Sequence, residues 1–246
     1  MPTQPTHIAM WSGPRNISTA MLRSWGNRAD TAVYDEPLYA HFLRATGMDH
    51  PGAEEIIAAG ETDWRKVVAE ITGPIPGGKT IWYQKHMTHH LLPDMGMEMG
   101  WIDRLTNCFL IREPRAMLTS YIKVRPDFTM EDLGLPQQRL IFDYVRATTG
   151  RIPPVIAAED VLRDPRRTLG LLCAALELPF DDAMLSWPPG PRSTDGVWAK
   201  YWYASVERST SFIPYSPKDD PVPPRYAAMM DECDQLYAEM AAHKLS

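Results

Sequence analysis

The stretch Ser12-Gly13-Pro14-Arg15-Asn16-Ile17-Ser18-Thr19 has the residue types that most directly suggest chemistry. It joins an apolar run at 7–11 (HIAMW) to a segment with helical spacing at 18–25. A tight loop between a strand and a helix start gathers unpaired backbone N–H groups and the positive end of the helix dipole, which together cradle an anion. Arg15 adds a permanent charge on a planar donor fork, and Ser18 and Thr19 add hydroxyl donors. The same residues also fit an ordinary strand-to-helix turn in which Ser18 or Thr19 caps the helix. The pattern GxxxxGK[ST] is missing, and with it the lysine and hydroxyl that would hold a nucleoside triphosphate and its Mg²⁺.

The elements that must position this loop are short apolar runs alternating with amphipathic stretches. Strands are predicted at 7–11, 31–34 (TAVY), 80–84 (TIWYQ), 108–111 (CFLI) and 155–158 (VIAA). Helices are predicted at 18–25, across much of 41–71, at about 114–123 and at 164–178. Such alternation predicts a three-layer α/β fold, a mostly parallel central sheet flanked by helices. No linker divides residues 1–246, so one domain is expected. In an open parallel sheet, ligands sit beyond the carboxyl ends of the strands, which directs attention to the polar loops after the first four runs.

Composition narrows the classes further. The 246 residues carry a formal charge of −6, so the chain as a whole is not a nucleic-acid binder, and any anion must be held by a local basic site. The N-terminus lacks a basic start followed by an apolar run, and no stretch of 18 apolar residues occurs. A cytoplasmic protein with no membrane association is expected. Cys108, Cys173 and Cys233 are dispersed and odd in number, without a CxxC pair. His86, His89 and His90 lack a carboxylate cluster or HExxH spacing, so no metal is expected.

After the fourth run the chain reads Arg112-Glu113-Pro114-Arg115-Ala116-Met117-Leu118-Thr119-Ser120. Here the sequence resembles the sulfotransferases that use 3′-phosphoadenosine 5′-phosphosulfate (PAPS), a family with a P-loop-like nucleotide-binding fold. PRNIST at 14–19 is similar to the loop that grips the 5′-phosphosulfate, although Ile17 stands where the family usually has glycine. Arg112 and Ser120, eight residues apart, match the arginine and serine that hold the 3′-phosphate. AEDVL at 158–162, with the Asp164-Pro165 pair and the leucine-rich stretch beyond it, resembles a structural segment of the family. The bland alternatives are an ion pair of Arg112 with Glu113 or Asp103, and a Ser120 hydroxyl bonded back to a helix carbonyl. The family's nucleotide-closing C-terminal loop has partial counterparts that include Lys200 and Arg208.

The resemblance implies sulfuryl transfer from PAPS to a hydroxyl or amine of a small-molecule acceptor, leaving PAP and needing no metal. Such transfer requires in-line geometry, a base for the acceptor proton and cations at the leaving phosphate. Arg15 and the first helix N-terminus would stabilise that phosphate. Glu36, in Asp35-Glu36-Pro37, resembles the glutamate base of some carbohydrate and bacterial members; its alternative role is to cap a helix opening at Pro37. Lys85 resembles the lysine that assists the sulfuryl group. His86 is the second candidate base, one place short of the family's histidine position, which Met87 occupies. The acceptor pocket is expected from about 37–72, 124–150 and 186–225, the last rich in aromatic residues that fit a pocket, a core or a homodimer contact. Two other functions remain open on the same scaffold, an ATP-dependent small-molecule kinase and a non-catalytic PAP-binding protein.

Overall fold

In the computed structural model of the chain, residues 5–217 and 220–246 are described. Five strands, β1 (Thr6–Ser12), β2 (Thr31–Asp35), β3 (Ile81–Met87), β4 (Thr106–Ile111) and β5 (Val155–Ala157), form one parallel sheet in the order β2-β3-β1-β4-β5. All five predicted strands are present. β3 runs on through Lys85-His86-Met87, which pair with β1, and Lys85 pairs with β2 as well. Lys85 stands in register with Asp35 of β2, so the neighbouring strand supplies the opposite charge.

The helices are α1 (Ser18–Gly26), α2 (Tyr39–Thr46), α3 (Ala53–Ala59), α4 (Trp64–Ile71), α5 (Pro114–Ile122), α6 (Met130–Leu133), α7 (Leu135–Thr149), α8 (Ala158–Arg163), α9 (Pro165–Ala175), α10 (Ala199–Trp202), α11 (Ala204–Glu207) and α12 (Ala227–Ala241). The helical stretch expected across 41–71 is thus three helices, and α7 and α12 extend the predicted set. Alternation along each strand sends side chains to opposite faces. Ile8 and Met10 of β1 pack with Met21, Leu22 and Trp25 of α1 and with Leu169 and Leu172 of α9. Ala9 and Trp11 face Ile71 of α4, Phe142 of α7 and Met240 of α12. The two layers of helices expected from the sequence therefore close both faces.

β1 lies between β3 and β4, so the chain leaves it toward one side of the sheet and later crosses to the other. The crevice at the carboxyl ends of β1, β3 and β4 is the switch point at which this architecture takes ligands. Among the described residues, no helix is long and apolar enough to cross a membrane.

Candidate active site

A cavity of 620 Å³ opens at that switch point, lined along one side by residues 14–20 and Arg112 and along another by Glu36, Lys85 and His90. α1 begins at Ser18, and its cap residue Ile17 makes no side-chain capping bond, so neither Ser18 nor Thr19 serves as the cap. Asn16 instead braces the loop. Its Oδ1 accepts from Ile17 N–H (2.8 Å), and its Nδ2 donates to the carbonyl of Leu110 in β4 (3.0 Å). The first-turn N–H groups of α1 thus remain aimed along the helix axis. Ile17 has φ −90°, which suits a branched side chain, and the left-handed backbone falls on Arg15 at φ +56°.

Ser12 and Gly13, expected in the anion grip, do not line the cavity. Ser12 is buried with its Oγ against Met87 Sδ, whereas Gly13 serves packing. A Cβ at Gly13 would come within 2.6 Å of the Leu133 carbonyl, so only glycine admits the end of α6 there. Pro14, Arg15, Asn16, Ile17, Ser18 and Thr19 all line the cavity.

The two expected anion grips lie side by side. Arg15 Nε–H donates to Ser120 Oγ at 3.1 Å, and the Arg112 guanidinium donates to the carbonyl of Arg15. Among the described residues, neither guanidinium has a carboxylate within 4.0 Å. The alternative partners are occupied elsewhere: Glu113 accepts from Tyr215 (3.3 Å), and Asp103 from Tyr144 (3.0 Å) and Thr148 (2.9 Å). Burial pushes the pKa of both arginines down, and at Arg112 the nearby Glu159 and Glu113 carboxylates oppose that shift without overcoming it. Glu159 Oε1 accepts from Glu113 N–H at 2.8 Å and so fixes the chain just after Arg112.

At the ends of β2 and β3 lies a buried ionic cluster. Lys85 Nζ donates to Asp35 Oδ1 (2.8 Å), Glu36 Oε1 (2.7 Å) and Tyr203 Oη (2.6 Å), which uses all three of its protons. Tyr203 in turn donates to Asp35 Oδ2 (2.6 Å) and accepts from Trp198 Nε1 (3.2 Å). One cation therefore faces two carboxylates, so one acid carries an uncompensated charge. Burial raises the Glu36 pKa, Lys85 opposes the rise and Asp35 adds to it. Burial also works against the charge on Lys85, but the attraction of Asp35 and Glu36 prevails and its pKa is raised. Glu36 sits at φ +44°, and α2 starts only at Tyr39, so Glu36 is not its cap. Lys85 meets the cavity wall as a clamp on Glu36, with no proton spare for a sulfuryl oxygen.

His86 requires a correction. It alternates with Lys85 on β3 and therefore points to the opposite face, its ring tilted against Trp11 at 4.5 Å with Nε2 against Gln84 Oε1 (3.1 Å). There burial drives its pKa down to about 3. The two-residue period of a strand carries that signal: positions 85 and 87 share the cavity face, and 86 does not. Two imidazoles from the turn after β3 line the cavity instead. His90 Nε2 lies 4.0 Å from Glu36 Oε2 and stacks on Tyr39, whose hydroxyl is 2.6 Å from His50 Nδ1. Lys200 and Arg208 also stand away from the cavity lining, with Lys200 exposed and paired with Glu55 (2.5 Å) and Arg208 exposed. The C-terminal segment reaches the cavity through Tyr203, Ser209 and Tyr215, while Trp187 and Phe212 join the core.

A sulfotransferase domain model matches residues 6–242. The chain belongs to the sulfotransferase domain family. Two Arabidopsis thaliana relatives, branched-chain-amino-acid aminotransferase-like proteins 1 and 2, are 39% and 35% identical over 98% and 96% of this chain. The chain spans about two fifths of their length (42% and 41%). Among solved structures it is similar to the sulfotransferase domain of the Synechococcus PCC 7002 olefin synthase, with TM-score 0.59 and 16% identity over 99% of this chain and 97% of that one. The sulfotransferase domain from the curacin biosynthetic pathway gives TM-score 0.52 and 15% identity over 98% and 99%. The expected parallel α/β fold and sulfotransferase class accord with these likenesses.

Proposed function

We propose that this sulfotransferase domain uses PAPS as donor and transfers its sulfuryl group to the hydroxyl of a small acceptor. The observation that carries the reading is the pair Arg15 and Arg112, two part-buried cations without a carboxylate partner among the described residues, beside the open start of α1. That arrangement suits a ligand with two anionic ends, and Ser120, bonded to Arg15, offers a neutral hydroxyl donor. Glu36, on the same cavity, takes the hydroxyl proton as the acceptor oxygen bonds to sulfur. The bond from sulfur to the 5′-phosphate oxygen breaks with its electron pair on the phosphate, and Arg15 and the α1 N–H groups stabilise the charge that builds there. Lys85 holds Glu36 in place. The chain acts as one catalytic unit in the cytoplasm, a location that suits three free buried cysteines.

Calorimetric titration tests this. PAP should bind in the micromolar range without metal, and Mg²⁺-ATP should not compete. Selective binding of Mg²⁺-ATP would replace the reading with a kinase. Tight PAP binding without any sulfated product across a broad acceptor panel would leave a nucleotide-binding protein.

A further inference from the structure

A third arginine lines the cavity and has no place in the donor grip. Arg125 is half-buried just beyond α5 and, like Arg15 and Arg112, has no carboxylate within 4.0 Å among the described residues. Its guanidinium reaches the sulfur of Met48 (3.2 Å), the carbonyl of Asp127 (3.3 Å) and the phenol of Tyr121, all of them neutral partners. It lines the same cavity as Glu36, beside which runs a layer of rings. Glu36 is 4.0 Å from His90, His90 stacks on Tyr39 (4.6 Å) and meets His89 (4.4 Å), and Tyr39 bonds His50. After burial itself, Arg125 is the largest influence lowering the pKa of His50, and it also lowers that of His89, which puts its charge close to both.

Two acids share this region. Asp49 lines the cavity but is exposed, whereas Asp132, half-buried like Arg125, accepts the Thr129 N–H (2.9 Å) and does not line this cavity. Of Arg125 and Asp49, which both line the cavity, the half-buried arginine outweighs the exposed acid, because solvent screens the acid more strongly. The cavity that Arg125 and Glu36 share is also lined by flat rings: Tyr39, His90 and, tilted 5.2 Å from His50, Trp202.

Resting on the donor reading above, we propose that the acceptor is a hydroxyaryl carboxylate, with its hydroxyl at Glu36, its ring against the Tyr39–His90–Trp202 wall and its carboxylate on Arg125. The subsite then selects acids over their neutral amides by a charge-assisted, bidentate contact.

The test uses 4-hydroxyphenylacetate and 4-hydroxyphenylacetamide, which share shape and differ in charge, titrated into the full chain with and without saturating PAP. The acid should bind at least about tenfold more tightly than the amide. Arg125→Gln should bring the two within about twofold while PAP affinity stays unchanged, and Arg125→Lys should keep part of the preference. Equal binding of acid and amide, binding of neither, or a preference that survives Arg125→Gln overturns the subsite. Weaker PAP binding by Arg125→Gln overturns it too, because Arg125 would then be a donor grip. Failure of PAP to bind the unaltered chain counts against the donor reading alone, and the PAP-free titrations still decide the subsite.

Discussion

The Arg112 guanidinium donates to the backbone carbonyl of Arg15, so the cation of one proposed anion grip holds the loop that carries the other. The two grips are mechanically one unit. Arg112→Ala removes a charge from the ligand and a brace from the loop. PAP affinity should fall by roughly 1.5–3 kcal/mol, about 10- to 150-fold in Kd. Arg112→Lys, which keeps the charge but loses the fork, should recover only part of this by calorimetry. Unchanged affinity in both variants would place the phosphates elsewhere.

As the proposed base, Glu36 must be ionised to accept a proton, and burial beside Asp35 holds its pKa above the usual 4.5. The turnover rate should therefore fall as pH drops through a value above 4.5, not below it. Glu36→Gln should slow transfer by roughly 10²–10⁴-fold and abolish that acid limb while leaving PAP binding intact. Wild-type turnover in this variant would move the base to another cavity group, of which His90 lies within 4.0 Å of Glu36.

His86 should matter to stability and not to turnover. Its folded pKa of about 3 lies below the ordinary 6.5, so the unfolded chain binds a proton that the folded chain refuses. Its contribution is complete above pH 6.5 and is lost at about 1.4 kcal/mol per pH unit on the way down. Urea denaturation of the wild type and His86→Gln should show the gap between them narrowing from pH 7 to pH 5. A gap that stays constant with pH would mean that the imidazole is not held neutral.

Tyr203→Phe deletes the hydroxyl that satisfies Asp35, Lys85 and Trp198 together, leaving buried polar groups short of a partner. The expected cost is about 1–3 kcal/mol of unfolding free energy, read by chemical denaturation. The acid limb of turnover should shift as well, because Lys85 answers to one partner fewer. A stable variant with an unmoved limb would show that the phenol is only packing.

The parts of the site legible in the sequence are those set by local spacing. An apolar run, a tight loop and a helix start placed Arg15, and a second such unit placed Arg112 and Ser120. Asp35 and Lys85 were visible only as separate charges, since their pairing depends on the register of β2 with β3. The same register lengthened β3 past its apolar part and turned His86 away. Tyr203 reaches Lys85 across 118 residues of chain, and no local pattern signals that contact. Arg125 follows α5 without periodicity of its own, and its significance lies in the acid that it lacks.

Arg15 and Glu36 share a left-handed backbone, at φ +56° and +44°. For a residue with a Cβ that shape costs about 1–2 kcal/mol, and glycine adopts it freely. Selection of variants for thermal tolerance alone should enrich glycine at both positions, and selection for turnover should purge it from both. Stability and activity are thus in direct conflict at two identifiable codons, and the chain keeps the costlier residue at each.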